Sequence, residues 1–209
     1  PAVERIVQKV LLVHKQKKGA LLASLLSDPK INKAIVFTKM KHAANRVANK
    51  LQAAGIQVTA IHGDKTQAAR IKALDGFKKG RFRVLVATDV AARGLDGDDI
   101  SHVINYDLPV EAETYVHRIG RTARAGAGGI AISFCSAEDR NYLREIERLL
   151  GKPVRVDTEH AYHCEDVFRP TTSSPKNVGK RGGSPGGPGR IRQQRSNSSK
   201  SHRRSRGNR

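Results

Sequence analysis

Short apolar runs alternate with segments of helical periodicity along most of the chain. Consecutive apolar positions are typical of strands buried on both faces of a sheet, and such runs occupy 7–13, 34–38, 56–62, 82–87, 102–106 and 129–135. Apolar residues spaced three and four positions apart predict helices over 15–27, 41–54, 66–79, 111–121 and 137–150. The alternation predicts an α/β fold, a parallel sheet with helices on both faces.

A parallel sheet of this kind places ligands at the carboxyl ends of its strands. The residues that directly follow the predicted strands are therefore candidates for a functional site. Thr38 and Lys39 follow the second strand, 62–70 follows the third and 88–96 follows the fourth. The segment 117–126 precedes the last strand and is rich in arginine.

Three arginines recur at every third position of the segment 117–126: Arg118, Arg121 and Arg124. If the segment is helical, they follow one side of the helix over about 9 Å. Their guanidinium groups repel one another unless an anion lies among them, and arginine binds phosphate in a forked geometry. The alternative is a solvated basic helix face, which Gly120 and Gly126 disfavour because glycine weakens a helix.

The segment 88–96 combines small residues with polar ones. Its small residues, Gly94 among them, let another backbone come close. Thr88 offers a hydroxyl, and either Asp89 or Asp96 would suit a ribose hydroxyl or an arginine. For Asp89, a turn or a helix cap is the alternative.

The segment after the third strand is a candidate for contact with a nucleic-acid backbone. Gly63 allows a backbone N–H to face a phosphate, and Asp64 follows it. Gln67 and Arg70 lie one helical turn apart and share a face. The alternative is an ordinary exposed helix. We assign no catalytic role to His62.

The charge of the chain is strongly positive and unevenly distributed. The 209 residues carry a formal net charge of +20, with 39 Lys and Arg against 19 Asp and Glu. Residues 170–209 contain eleven of the basic residues and no acidic one, which leaves +9 for 1–169. The segment 170–209 is too poor in apolar residues to fold and is predicted to be disordered. The charge favours nucleic acid as the partner, with an anionic membrane surface as the second candidate.

Cysteine content and hydropathy exclude several other classes of protein. Cys135 and Cys164 have neither metal-ligand spacing nor a disulfide framework, so no metal site is predicted. Cys135 lies in an apolar run and is expected to be buried. No long apolar run and no targeting signal is visible, so we predict a cytoplasmic location and no membrane span.

In this order, the segments resemble the second RecA-like domain of DEAD-box RNA helicases. The resemblance covers about 6–149 and is carried by TDVAARGLD at 88–96 and HRIGRTAR at 117–124. It implies a RecA-like domain over 1–151, an extension over 152–169 and a disordered basic tail over 170–209. The segment 160–166 and the tail are similar to the bacterial RhlE-like branch.

The resemblance also implies roles for single residues. Arg121 and Arg124 would contact the γ-phosphate of ATP as catalytic residues, and Asp96 with Gly94 would lie near the ribose. His117 and Arg118 would communicate with the partner domain. The residues expected to hold the RNA backbone are Thr38, Lys39, Gly63, Asp64, Gln67, Arg70 and Thr88. The tail is expected to bind RNA without sequence preference through Arg181, Arg190, Arg192, Arg203 and Arg204.

Two family motifs have no counterpart in the chain: a phosphate-binding loop and an Asp-Glu-Ala-Asp run. In the family both lie on the first RecA-like domain, which would hold Mg²⁺. We therefore predict that this chain is part of a longer protein and hydrolyses ATP negligibly by itself. It departs from the family at Gly97, which can loosen the loop of Asp96, and at Ala123. Two alternatives are an RNA-binding or annealing module without catalysis and a DNA helicase domain of the same superfamily.

Overall fold

The computed structural model describes residues 2–95, 99–122 and 128–168. Within these ranges seven strands form one sheet, in the order β3-β4-β2-β5-β6-β1-β7, and every pair is parallel. The strands are β1 (Ile6–Leu12), β2 (Ala34–Phe37), β3 (Val58–Ile61), β4 (Val84–Ala87), β5 (His102–Asn105), β6 (Gly129–Cys135) and β7 (Arg155–Val156).

Helices connect the strands as the periodicity predicts. They are α1 (Lys18–Leu26), α2 (Lys41–Ala53), α3 (Gln67–Lys78), α4 (Ala112–Ile119) and α5 (Arg140–Leu150). Short 3₁₀ turns cover Ala2–Arg5, Lys15–Lys17, Ala137–Asp139 and Glu165–Phe168. The predicted α/β fold with a parallel, RecA-like sheet is confirmed.

The core consists of two apolar layers, one on each face of the sheet. The side chains of α1 and α2 pack on one face, and those of α3, α4 and α5 pack on the other. Strand β2 supplies both layers because successive side chains point to opposite faces: Ile35 and Phe37 belong to one layer, Ala34 and Val36 to the other. All four are buried, which explains why this strand is apolar at every position.

Helix α4 ends earlier than its periodicity predicts. The expected helix over 111–121 stops at Ile119, with Gly120 as its cap. Arg121 therefore lies beyond the helix, and the expected row of arginines along one helix side is wrong for the pair Arg118 and Arg121. The physical reason is that the last turn is closed by bonds from the amides of Gly120 and Arg121 to the carbonyls of Val116 and Arg118.

The described part of the extension continues the sheet beyond β1. Strand β7 pairs with β1, and the amides of Asp157 and Cys164 donate to the carbonyls of Val10 and Leu12 at 2.9 and 3.1 Å. The sequence did not predict β7, because its two residues are exposed and form no apolar run.

Both cysteines are free thiols and buried. Burial raises the pKa of Cys135 to about 12, which agrees with a packing role. Among the described residues no group of three or more His, Cys, Asp or Glu side chains is placed to hold a metal ion. None of the helices in the described ranges has the length and apolarity to cross a membrane.

Candidate functional site

A cavity of about 310 Å³ opens at the carboxyl ends of the central strands. It lies where β2 and β4 end and where α4 packs against the loop that follows β4. Its walls carry several cationic side chains. The lining residues are Phe37, Asp89, Ala92, Arg93, Thr114, His117, Arg118 and Arg121.

Arg118 is the structural centre of this cavity. Its side chain is only 2% exposed, and its Nε and Nη2 donate to the two carboxylate oxygens of Asp89 at 2.6 and 2.7 Å. Its Nη1 donates to Asn105 Oδ1 at 3.1 Å and to the carbonyl of Asp107 at 2.7 Å. The guanidinium carbon lies 5.0 Å from the ring centroid of Phe37. The charge of Arg118 is thus neutralised within the protein and its orientation is fixed.

The ion pair with Arg118 also fixes the loop after β4. Of the partners considered for Asp89, the structure shows an arginine. The loop is further held by the amide of Thr88, which donates to Ile61, and by the amide of Ala92, which donates to Thr88. These bonds hold the half-buried Thr88 at the carboxyl end of β4.

Arg121 has a different environment from Arg118. It is half-buried, and its Nη1 donates to the carbonyl of Leu95 at 3.0 Å. Across 2–95, 99–122 and 128–168, no carboxylate forms an ion pair with it. Its positive charge therefore faces the cavity without a counter-charge from these residues. Arg93 and His117 are exposed at the rim of the same cavity.

Two predicted site residues, Asp96 and Arg124, lie outside the described residues, as do the five arginines of the tail. Their roles stay predictions. Gly94 is described: it is exposed and has a positive φ of 78°, a backbone conformation that glycine adopts without strain.

The loop after β2 directly follows Phe37, which lines the cavity. Thr38 is fully buried, so the RNA contact predicted for it would require its surroundings to open. The amide of Lys39 donates to Asp107 Oδ2 at 3.0 Å, and its ammonium lies 4.4 Å from the ring centroid of Tyr142. Sequence reasoning missed Asp107. Its position two residues after the end of β5 is the signal that could have found it.

The residues after β3 lie at the same edge of the sheet but outside the lining of the cavity. Apart from Gly63 and its two chain neighbours, no atom of the described residues lies within 4 Å of a Cβ built on Gly63, so its backbone is open to a ligand. Asp64 is paired with Lys41 at 2.9 Å, and the hydrogen bond from Lys41 lowers the pKa of Asp64. His62 is buried, and its Nε2 lies 2.8 Å from Asn45 Oδ1. This contact ties His62 to α2.

The first turn of α3 brings the other two predicted contacts to this edge. Thr66 caps the helix by accepting the amide of Ala69 at 3.2 Å, and Gln67 is exposed in the first turn. Arg70 is half-buried and its Nη2 reaches the carbonyl of Ala91 at 3.5 Å. Its Nε is buried and has no partner among the described residues. Arg70 thus leans towards the loop after β4, and Gln67 faces solvent.

Comparison with known proteins supplies the family. Residues 17–126, just over half of the chain, match the helicase conserved C-terminal domain. The chain is 42% identical over 172 residues to DEAD-box ATP-dependent RNA helicase 21 of Oryza sativa, covering 81% of this chain and 23% of that protein. It is 41% identical over 170 residues to ATP-dependent RNA helicase RhlB of Pseudomonas syringae, covering 81% of this chain and 43% of that protein.

A solved structure gives the same assignment over nearly its full length. The chain of the E. coli DEAD-box protein SrmB is 40% identical, with a TM-score of 0.70, and the match covers 82% of this chain and 98% of that one. The present chain spans less than half the length of the two curated relatives above. It belongs to the helicase C-terminal domain family and, within that family, to the DEAD-box RNA helicases.

Proposed function

We propose that this chain is the C-terminal half of an ATP-dependent RNA helicase, which unwinds or remodels short RNA duplexes when ATP closes two RecA-like domains on the RNA backbone. The observation that carries the proposal is the contrast between two neighbouring arginines in one cavity. Arg118 is neutralised by Asp89 and fixes the loop after β4. Arg121 keeps its charge available for an anion.

In this proposal ATP is bound between the two domains. The first RecA-like domain holds most of the triphosphate and Mg²⁺, and this chain completes the site. Arg121 and Arg124 contact the γ-phosphate and stabilise the charge that develops during transfer. Asp96 and Gly94 lie at the ribose. The exposed His117, at the rim of the cavity, faces the partner domain. The end of α4, which the contacts of Arg118 hold in place, faces the same domain.

RNA binds along the edge formed by the ends of β2, β3 and β4. The residues assigned to it are Thr38, Lys39, Gly63, Asp64, Gln67, Arg70 and Thr88. They come from three loops of one sheet edge, and the open backbone at Gly63 lets a phosphate approach. Contacts to the sugar-phosphate backbone carry no base information, so binding is largely independent of sequence. The 2′-hydroxyls supply the preference for RNA.

The basic tail adds affinity without specificity. If it contacts about six phosphates, the logarithm of its RNA affinity falls with the logarithm of salt concentration with a slope near −4 for single strands. Removing 170–209 weakens RNA binding most at low salt, and unchanged affinity there would show an inert tail. We also propose that the chain belongs to the RhlE-like branch, which the similarity of the segment 160–166 and of the tail supports, and that it acts in the cytoplasm.

The test joins this chain to a first RecA-like domain and compares the wild type with Arg124→Ala. RNA-stimulated ATP hydrolysis is expected to be lost while RNA binding is retained. The reverse outcome supports an annealing module whose arginines serve only RNA. Competition between RNA and DNA strands of equal length separates an RNA helicase from a DNA helicase. Measurable ATP turnover by the isolated chain would contradict the division of labour proposed here.

A further inference from the structure

A buried lysine at the start of α1 has no part in the function proposed so far. The side chain of Lys18 is only 4% exposed. Its ammonium lies 2.8 Å from Asp139 Oδ2 and 3.5 Å from Asp107 Oδ1, and 5.8 Å from the ring centroid of Tyr106. A buried ammonium is costly unless it is well paired, so these two carboxylates determine where it can lie.

Asp107 connects three separate segments. One carboxylate oxygen faces Lys18, and the other accepts the amide of Lys39 at 3.0 Å. Its carbonyl accepts Arg118 Nη1 at 2.7 Å. The start of α1, the loop after β2 and helix α4 therefore meet at one residue.

Asp139 is anchored independently of this junction. Its Oδ2 accepts the amide of Ser136 at 3.0 Å and the hydroxyl of Ser136 at 2.7 Å, which closes the turn before α5. Burial alone would raise the pKa of Asp139, but Lys18 and Ser136 outweigh it and hold that pKa below its usual value. The Lys18 ammonium is thus paired with a carboxylate whose position is fixed. Asp107, whose side chain is 24% exposed, is the carboxylate that can turn away.

We propose that Lys18 is a positioning residue for RNA binding: its ammonium holds the carboxylate of Asp107 where that group accepts the Lys39 amide, and this fixes the loop that carries Thr38. The inference rests on the proposed function, in which this loop contacts the RNA backbone. Removing the ammonium leaves two carboxylates facing one another, and Asp107 then rotates towards solvent and releases the loop.

The first readout is amide hydrogen exchange measured by NMR on the full chain. In Lys18→Met the exchange rate of the Lys39 amide is expected to rise about tenfold or more, as for the loss of a hydrogen bond to a charged acceptor. The amide of Ala44, which donates to Met40 at 3.1 Å, is the internal control and keeps its rate. Lys18→Arg restores the charge and is expected to return the Lys39 rate towards the wild-type value.

The second readout is RNA affinity, followed by the shifts of the Thr38 and Gly63 amide signals as a single-stranded RNA is added. These signals report RNA that binds at the loops after β2 and β3, and so distinguish it from RNA held by the tail. We expect Lys18→Met to weaken this affinity about tenfold and Lys18→Arg to recover most of it. The matched control is Lys15→Met, which removes the exposed ion pair with Glu138 only three residues away and leaves both readouts unchanged.

Asp107→Ala provides a second route if Lys18→Met does not fold. It removes the acceptor of the Lys39 amide and keeps the pair between Lys18 and Asp139, so it is expected to reproduce both effects. A folded Lys18→Met variant with an unchanged Lys39 exchange rate overturns the inference, as does faster exchange with unchanged RNA affinity. A wild-type chain whose Thr38 and Gly63 signals do not respond to RNA contradicts the proposed function itself, whatever the exchange rates show.

Discussion

The two ends of the sheet each carry a cavity, and the smaller one is the better candidate for function. The cavity at the amino ends of β3 and β4 measures about 480 Å³, against about 310 Å³ at the carboxyl ends. The larger cavity is a gap where α1, α2 and the entries to two strands meet. Its one arginine, Arg83, donates to the carbonyl of Leu26 and so is used by the fold.

The carboxyl-end cavity contains more cationic side chains than the carboxylates of the described residues neutralise. Arg118 is neutralised by Asp89, but Arg93 and Arg121 line the same wall without a carboxylate partner among the described residues. Volume therefore does not identify the site. Positive charge without a carboxylate partner among the described residues favours the carboxyl-end cavity as the candidate site, because a bound anion would relieve the repulsion between neighbouring guanidinium groups.

The largest expected difference between the two ends is catalytic. In the chain joined to a first RecA-like domain, Arg121→Ala should lower RNA-stimulated ATP hydrolysis by about a thousandfold or more, the range found for arginines that contact a transferred phosphoryl group. Its stability should change by only about 1 kcal/mol, since it makes one hydrogen bond to Leu95.

Arg83→Ala is the matched control at the amino end. It also removes one hydrogen bond to a carbonyl, so its stability should fall by a similar amount, about 1 kcal/mol. Its ATP hydrolysis should stay close to that of the wild type. Equal catalytic losses in the two variants would show that the effect of Arg121 is structural, and would end the distinction between the cavities.

The next largest expected effect is on the free energy of unfolding. Arg118→Ala should lower the free energy of unfolding by about 3 kcal/mol, measured by urea denaturation. Breaking a buried ion pair typically costs 3–5 kcal/mol, and the lower end applies because the Asp89 side chain is 38% exposed and partly screened.

Arg118→Lys should recover little of this loss, because an ammonium cannot make both bonds to Asp89 while it reaches Asn105 and the Asp107 carbonyl. A variant with lysine that is as stable as the wild type would show that charge alone, and not the forked geometry, holds the loop after β4.

Most of the fold could be predicted from the sequence, because short runs rich in apolar residues mark six of the strands and the helices between them are periodic. Two elements differ for local reasons. Strand β7 consists of two exposed residues that pair with β1, and no apolar run in the sequence indicates it. The end of α4 is set by bonds of its last turn around Gly120, which spacing does not reveal.

The loops of the candidate site could be predicted from the sequence, but the contacts of their side chains could not. The rule on strand ends led to the loops of Thr38, Gly63 and Thr88, and the structure brings these loops to one edge. Arg118 and Arg121 have different environments because Asp89 lies beside Arg118 in space. The two partners are 29 residues apart along the chain, so the sequence does not reveal the pair. The junction at Lys18 depends in the same way on a pairing across 121 residues.

A pair of glycines allows a comparison of packing at the two ends. Gly76, in α3, lies against Phe82 at the amino end: a Cβ there would be 2.6 Å from the ring. The backbone that carries the ring is held beside Gly76, because the amides of Arg81 and Phe82 both donate to the Gly76 carbonyl. Gly76→Val should therefore lower the free energy of unfolding by about 2 kcal/mol.

Gly63→Ala is the counterpart at the carboxyl end, where the added methyl group would meet no described residue beyond its chain neighbours within 4 Å. Its stability should stay within about 0.5 kcal/mol of the wild type. Under the proposed function it should still weaken RNA binding, since a methyl group then covers the open backbone. A Gly63→Ala variant that loses as much stability as Gly76→Val would show that the open edge is packed in solution.

The smallest expected effect is on the dependence of stability on pH, to which each end contributes one buried histidine. Burial lowers the pKa of His62 at the carboxyl end, and Lys65 adds to the effect. Burial also lowers the pKa of His102 at the amino end, although Asp28 opposes it. In both cases the folded protein favours the neutral ring. The unfolded chain, with a pKa near 6.5, binds protons first as the pH falls, so stability is full above about pH 6.5 and declines below it.

Urea denaturation of the wild type, His62→Gln and His102→Gln between pH 7.5 and about 5 measures the two contributions. Each variant should flatten the decline, and the two effects should add because the residues lie at opposite ends of the sheet with no shared partner. If only His62→Gln flattens it, the amino end opens to water more readily than its burial indicates. Arg83 and the larger cavity beside it would then belong to a region that loosens before the sheet does, and the contrast between a rigid site and a passive gap would be sharper.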